Sequence, residues 1–194
     1  ARLPSTSNVS GEIWAISLVK NEIDVIESSI RHGFNQGIDA MLIADNGSTD
    51  GTRELLHQLA KILPVIVVDD PIYAHEQDTK MTVLAKCARK LGAKWIVPFD
   101  ADEFWFARDS SLGDHLRNER KAVVVYGEVF NAFPVSHESM RTDSSMAMSD
   151  TVVMRKVAFK AHRFASLCMG NHEVYRGVPR SQGIYVLHLP WRST

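Results

Sequence analysis

Asp100, Asp102 and Glu103 fall within four positions in the stretch WIVPFDADEFW (95–105), walled by Phe99, Phe104 and Trp105. Carboxylates held beside that much apolar surface need a positive partner. Two of them at i and i+2 can reach one hard divalent cation, which offsets their mutual repulsion. Mg²⁺ or Mn²⁺ prefers such oxygen ligands and often shares them with substrate phosphates. The competing reading is that Asp100 or Asp102 caps a following helix.

The elements around these residues are legible as far as about position 106. IWAISLV (13–19), AMLIAD (40–45), VIVVDD (65–70) and KWIVPFD (94–100) are short apolar runs that predict strands buried on both faces. Pro98 predicts a bend in the last of them. Ile26, Ile30 and Phe34 recur at helical spacing after Asn21, the expected N-cap, and Gly37 closes that helix. Leu55, Leu59 and Leu63 mark a second helix, and Met81, Leu84, Ala88 and Leu91 mark a third from Gln77 to Leu91. The order β-α-β-α-β-α-β implies a parallel sheet with right-handed crossovers. Ligands in such sheets sit outside the carboxyl ends of the strands. That places KNE, DNGSTDGT, DDP and DADE on one rim.

After Phe106 the regularity fades. Strands are expected over 122–133, 151–159 and 183–189, and a polar loop or lid over 136–150. The expected class is α/β, a mostly parallel sheet flanked by helices with an antiparallel C-terminal extension. We expect a single domain over 1–194, divided into halves at about 12–106 and about 107–194.

Composition excludes several classes. Lys and Arg number 22 against 23 Asp and Glu, so there is no basic footprint of a nucleic-acid binder. Hydrophobic residues make up 45%, enough for a real core. Cys87 and Cys168 form no CxxC pair, which argues against structural zinc and fits a reducing cytosol as well as one disulfide. No apolar run reaches the length of a membrane span. A cytoplasmic location is expected, with peripheral association at the inner face of a membrane as its variant. GxGxxG and GK[ST] are both missing, which removes most support for a nicotinamide oxidoreductase or a P-loop NTPase.

The ordered set LVKNE, DNGSTDGT, DADEFW, GNHEV (170–174) and LHLPWRS (187–193) resembles glycosyltransferase family 2 and its GT-A fold. It is most similar to small bacterial-type members whose motif reads DxDEF. The resemblance implies a metal-dependent transfer of sugar from a nucleotide-diphosphate sugar, with UDP or GDP as the carrier, to a glycan or other hydroxyl acceptor. It also implies inversion at the anomeric carbon, and an acceptor-binding segment beyond HLPWRS.

By that resemblance Val19, Glu22 and Asp45 hold the nucleoside, and Lys80 and Arg192 contact the donor. Asp45 could accept from a base N–H or could equally close an Asx-turn. Lys80 reads equally as a solvated helix lysine. Asp102 binds Mn²⁺ or Mg²⁺ directly, and Asp100 contacts ribose or the metal through water. His188 resembles the C-terminal metal-ligand histidine, the alternative being a strand histidine satisfied in the core. The catalytic base is expected at His172 or Glu173, with Asp150 as an outsider, because no ED pair follows Phe106. Arg155, Lys156 and Arg163 could bind diphosphate or be ordinary solvated charges. The rival activities are a nucleotidyltransferase, a non-catalytic nucleotide-sugar-binding domain and a metal-dependent hydrolase.

Overall fold

A computed structural model describes residues 9–72, 76–134 and 146–190. The strands are β1 (Ile13–Val19), β2 (Ala40–Asp45), β3 (Val65–Asp69), β4 (Trp95–Pro98), β5 (Glu103–Ala107), β6 (Val124–Pro134), β7 (Met146–Met148), β8 (Met154–Lys160), β9 (Ser166–Leu167), β10 (Val174–Tyr175) and β11 (Arg180–His188). The helices are α1 (Ile26–Asn35), α2 (Thr52–Leu59), α3 (Gln77–Lys90) and α4 (Leu112–Asn118).

One nine-stranded sheet runs β3-β2-β1-β4-β8-β6-β11-β5, with β7 paired to β6. Strands β1 to β4 pair in parallel, as their alternation with helices requires. β1 shows why these runs carry no polar face. Ile13 and Ala15 pack into one core with Ile26, Ile30 and Leu56. Trp14 and Ile16 pack into the other with Met81, Leu84 and Ala88 of α3.

Beyond β4 the sheet turns mixed. β8 inserts antiparallel to β4, with Trp95 opposite Lys160 and Ile96 opposite Phe159. β11 lies parallel to β6 and antiparallel to β5. This is the expected antiparallel extension, built into the same sheet.

Several local expectations are corrected. Asn21 does not cap α1. That helix starts after Val25 with no side-chain cap. Asn21 has φ 57° and ties down the DNGST loop instead: its Oδ1 accepts from Thr49 N and its own N–H donates to Ser48 Oγ. Helix α2 stops at Leu59, short of Leu63. The residues after DAD form strand β5 rather than a helix, which removes the capping role for Asp100 and Asp102. Residues 146–148 of the expected loop are strand β7, paired with β6. Positions 136–145 of that segment lie outside the described residues. Pro98 closes β4, where a ladder donor is no longer needed.

Candidate active site

The strand ends gather the expected residues along one rim. At the β1–β2 end, Val19 pairs with Asp45, and Val19 O accepts from Asn46 N. Glu22 N–H donates to Thr52 Oγ1 at 2.8 Å, which fixes the KNE turn against α2. Asp45 is 0% exposed. Its Oδ2 accepts from Ser48 N at 3.2 Å and lies 3.3 Å from Arg53 Nε. Its Oδ1 is buried without a partner among the described residues. An Asx-turn therefore uses one oxygen and leaves the other for something else. A buried acceptor left unmade is costly, so this oxygen is open to a donor from solvent or a ligand.

Beside it, Asn46 Nδ2 donates to Asp70 Oδ2 and to Ile72 O, both at 2.8 Å. Lys80 Nζ sits 2.6 Å from the same Asp70 Oδ2 and donates to Ile72 O. Lys80 is thus no solvated lysine. It is pinned beside Asp45 on the rim through Asp70. Asp70 was visible only as part of DDP and was not singled out by the sequence.

The DADE turn receives an intramolecular cation. Lys156 Nζ, from β8, lies 2.6 Å from Asp100 Oδ2 and 2.8 Å from Glu103 Oε1. Lys156 and Glu103 are each 3% exposed. The other oxygen of Glu103 accepts from Asp100 N and Trp105 Nε1. Burial, and then the neighbouring Asp100 charge, push the Glu103 carboxyl up to about 7, against the pull of Lys156. Burial pulls the Lys156 pKa down, but Glu103 and Asp100 outweigh it and hold the ammonium above its usual range. Glu103 is therefore the buried anchor of the turn. Asp100 Oδ1 faces Gln77 Nε2 and Asn171 Nδ2, both at 3.4 Å.

Asp102 points elsewhere. His188 Nε2 is 3.5 Å from Asp102 Oδ2, while its Nδ1 is 2.9 Å from Asn131 Oδ1. The register explains this meeting: His188 lies between Glu103 on β5 and Asn131 on β6, and Leu189 N donates to Asp102 O. The hydrogen bond to Asp102 raises the His188 pKa, with burial opposing it.

The residues expected to hold a metal thus divide. Among the described residues, no cluster of three or more His, Cys, Asp or Glu forms a ready metal cage. Asp102 and His188 alone still fit two ligand positions. With Asn131 Oδ1 accepting the Nδ1–H, Nε2 is the nitrogen that faces Asp102, and its proton would have to leave before a cation could bind there. Mg²⁺ usually takes one or two protein ligands and completes its shell with water and substrate phosphates. Asp100 is committed to Lys156, Gln77 and Asn171.

The remaining candidates lie on the GNHEV segment. His172 Nδ1 is 2.8 Å from Arg155 O and the ring is exposed. Glu173 Oε2 accepts from Tyr126 OH at 2.8 Å and pairs with Arg180 at 2.7 Å. Burial raises the Glu173 pKa, but hydrogen bonds from Val174 N, Tyr126 and Arg180 bring it below the usual carboxylate range. Asn171 was missed by the sequence. It is fully buried with φ 57°, and its Oδ1 has no partner among the described residues. The glycine before it was its one signal. Arg192 lies outside the described residues. His57 and His162 are exposed, and His75 also lies outside the described residues. No helix among the described residues is long and apolar enough to cross a membrane.

Comparison with known proteins bears on the fold and the family. S. aureus TarS 1–349 in complex with UDP-GlcNAc superposes with a TM-score of 0.62 at 11% identity, over 94% of this chain and 60% of that one. TarS 1–349 in complex with UDP gives 0.52 at 14% identity, over 68% of this chain and 40% of that one. The chain therefore spans 40 to 60% of the length of these TarS chains. At such identities the likeness is one of fold, and the fold is GT-A. A search of curated proteins finds no match. Residues 15–176 match the model of the family described as Glycosyl transferase family 2, and the chain belongs to that family.

Proposed function

We propose that this chain carries the donor site of a glycosyltransferase that moves a sugar from a UDP- or GDP-sugar to an acceptor hydroxyl, with inversion. The observation that carries the reading is the buried, unpartnered Asp45 Oδ1. It sits on the same rim as the Asp102–His188 pair. An acceptor atom for a base N–H at one end, and a pair suited to a diphosphate-bound cation at the other, are what a nucleotide sugar needs. TarS was solved with UDP and with UDP-GlcNAc, which makes UDP-GlcNAc the first donor to test.

In this reading Asp102 and His188 hold Mn²⁺ or Mg²⁺, which supplies charge stabilisation for the departing diphosphate. Asn131 holds the His188 ring. Lys156 and Glu103 keep the turn rigid, and Lys156 offsets the charge of Asp100, so that Asp100 can approach ribose with less repulsion of the diphosphate. Lys80, fixed by Asp70, adds positive charge near the donor. His172 is the better placed base. Its Nδ1–H donates to Arg155 O, leaving Nε2 to accept the acceptor's proton. Glu173 is held as an ion by Arg180 and Tyr126, which suits it to positioning the segment.

Titration calorimetry with UDP, with and without Mn²⁺, tests the reading, followed by transfer from UDP-GlcNAc. Tighter binding with Mn²⁺ is expected. No measurable affinity for UDP or GDP under either condition would overturn it.

A further inference from the structure

A cleft of about 760 Å³ lies on the opposite rim, with Trp95 in its lining. The segments that build it come from the amino ends of β1, β4 and β6, the carboxyl end of β8, and the ends of α3 and α4. It is therefore separate from DADE, which lies beyond the other end of β4.

Its lining is strongly one-signed. Lys and Arg contribute seven residues and Glu two. The chain as a whole has a net charge of −1, so this charge is segregated. Lys94 pairs with Glu12, and Arg117 with Asp39. No carboxylate pairs with Arg89, Arg120, Lys160, Arg163 or Arg176 in any ion pair among the described residues. The remaining acid, Glu119, accepts from Lys121 N, Ala122 N and Ser181 Oγ.

Ordinary structural needs explain part of this. Arg89 and Arg117 sit in the last turns of α3 and α4, where cations complement the helix dipole. Lys160, Arg163 and Arg176 come from a strand end and loops, where no such need exists. All three are held in place, Arg163 by its guanidinium 4.4 Å from the Phe164 ring centroid. Lys160 Nζ lies 5.3 Å from the Trp95 ring centroid, and Arg176 Nε donates to Lys160 O at 3.0 Å. Like charges gathered in a concavity repel one another and focus a positive potential.

We propose that this cleft binds a multivalent phosphate group. Guanidinium forks pair with phosphate oxygens bidentately, which suits the arginine excess. The concave shape fits a discrete oligophosphate or a phosphorylated headgroup better than a flat surface. The site is independent of the donor reading above, and each can fail without the other.

The test uses inorganic tripolyphosphate in chelator, with saturating UDP present to fill the donor site. Calorimetry should show one binding event, weakened at least tenfold in R120A/R163A. Both residues are exposed, so the variant should keep the melting temperature of the parent. Vesicles of phosphatidylcholine with 20% phosphatidic acid, by flotation, form the second arm. Flotation that tripolyphosphate competes away assigns the phosphate to a lipid headgroup, whereas calorimetric binding without flotation assigns it to a soluble ligand. No tripolyphosphate binding, or equal binding by R120A/R163A, overturns the proposal.

Discussion

Lys156 Nζ stands 2.8 Å from Glu103 Oε1, and this buried ion pair is the positive partner that the DADE carboxylates require. It also reaches Asp100 Oδ2 at 2.6 Å. One strand thus supplies a fixed cation to a turn that belongs to another. The consequence is a division of the acidic triplet. Asp100 and Glu103 share one cation from within the chain, and Asp102 is the one directed to His188.

Removing Lys156 should therefore damage the fold first. Breaking a buried pair from one side costs about 3–5 kcal/mol, because a buried charge is left unmatched. Lys156→Met should lose roughly that much in urea denaturation. Glu103→Gln in the same chain removes the stranded charge while keeping an oxygen for Asp100 N and Trp105 Nε1. The double variant should regain at least about 1 kcal/mol over Lys156→Met. Additive losses would show that the two residues act separately.

Asp45 gives a prediction about ligand affinity instead. Asp45→Asn keeps the shape and leaves Asn46, Asp70 and Lys80 in place, but changes the acceptor behind the free oxygen. A hydrogen bond to a charged group contributes about 1.5–3 kcal/mol. UDP affinity should fall at least tenfold, beyond the stability lost with the buried Arg53 pair, which the melting temperature of the unliganded variant reads separately. Unchanged affinity would make Asp45 turn chemistry only.

The first four strands were legible because each is an apolar run that must be buried on both faces. The rim could be placed for the same reason. Strand β5 was missed although its signal was present: Glu103, Trp105 and Ala107 are buried, while Phe104 and Phe106 between them are only partly so. The acidic cluster before it suggested a helix cap more strongly than period two suggested a strand. Helix α4 also carried a signal, Ser111 with Asp114 three positions on, and Ser111 Oγ does accept from Asp114 N. Lys156 had no local signal. Its partnership with Asp100 spans 56 positions and follows from β8 pairing antiparallel with β4, a choice made by the whole sheet. The likeness of the motifs to family 2 carried Asp102 and His188 to one place. It carried no sign that Asp100 would meet Lys156.

Asn131 tests the proposed cation site without touching a ligand. Its Oδ1 lies 2.9 Å from His188 Nδ1 and sets which ring nitrogen faces Asp102. Loss of such an outer contact lowers metal affinity about 10–100-fold. Asn131→Ala should weaken Mn²⁺ binding in the presence of UDP by that order, and His188→Ala should weaken it further. Mn²⁺ affinity equal to that of the parent in both variants would remove the Asp102–His188 pair from the metal site.

His172 and Glu173 are adjacent, yet in the proposed reaction their different surroundings suit them to different work. His172 is held at Nδ1 by Arg155 O, and its other nitrogen is left to act. Glu173 is engaged by Arg180 and Tyr126, and a carboxylate kept ionised in this way is a weak base. A positioned general base contributes about 10²–10⁴-fold to turnover. Once a donor supports transfer, His172→Ala should lower kcat by that order with UDP affinity unchanged. Glu173→Gln should leave kcat within about threefold, since surface pairs of this kind contribute little. The reverse outcome, with Glu173→Gln folded and inactive and His172→Ala active, would move the base to Glu173. The Arg180 pair would then have to open when the acceptor binds.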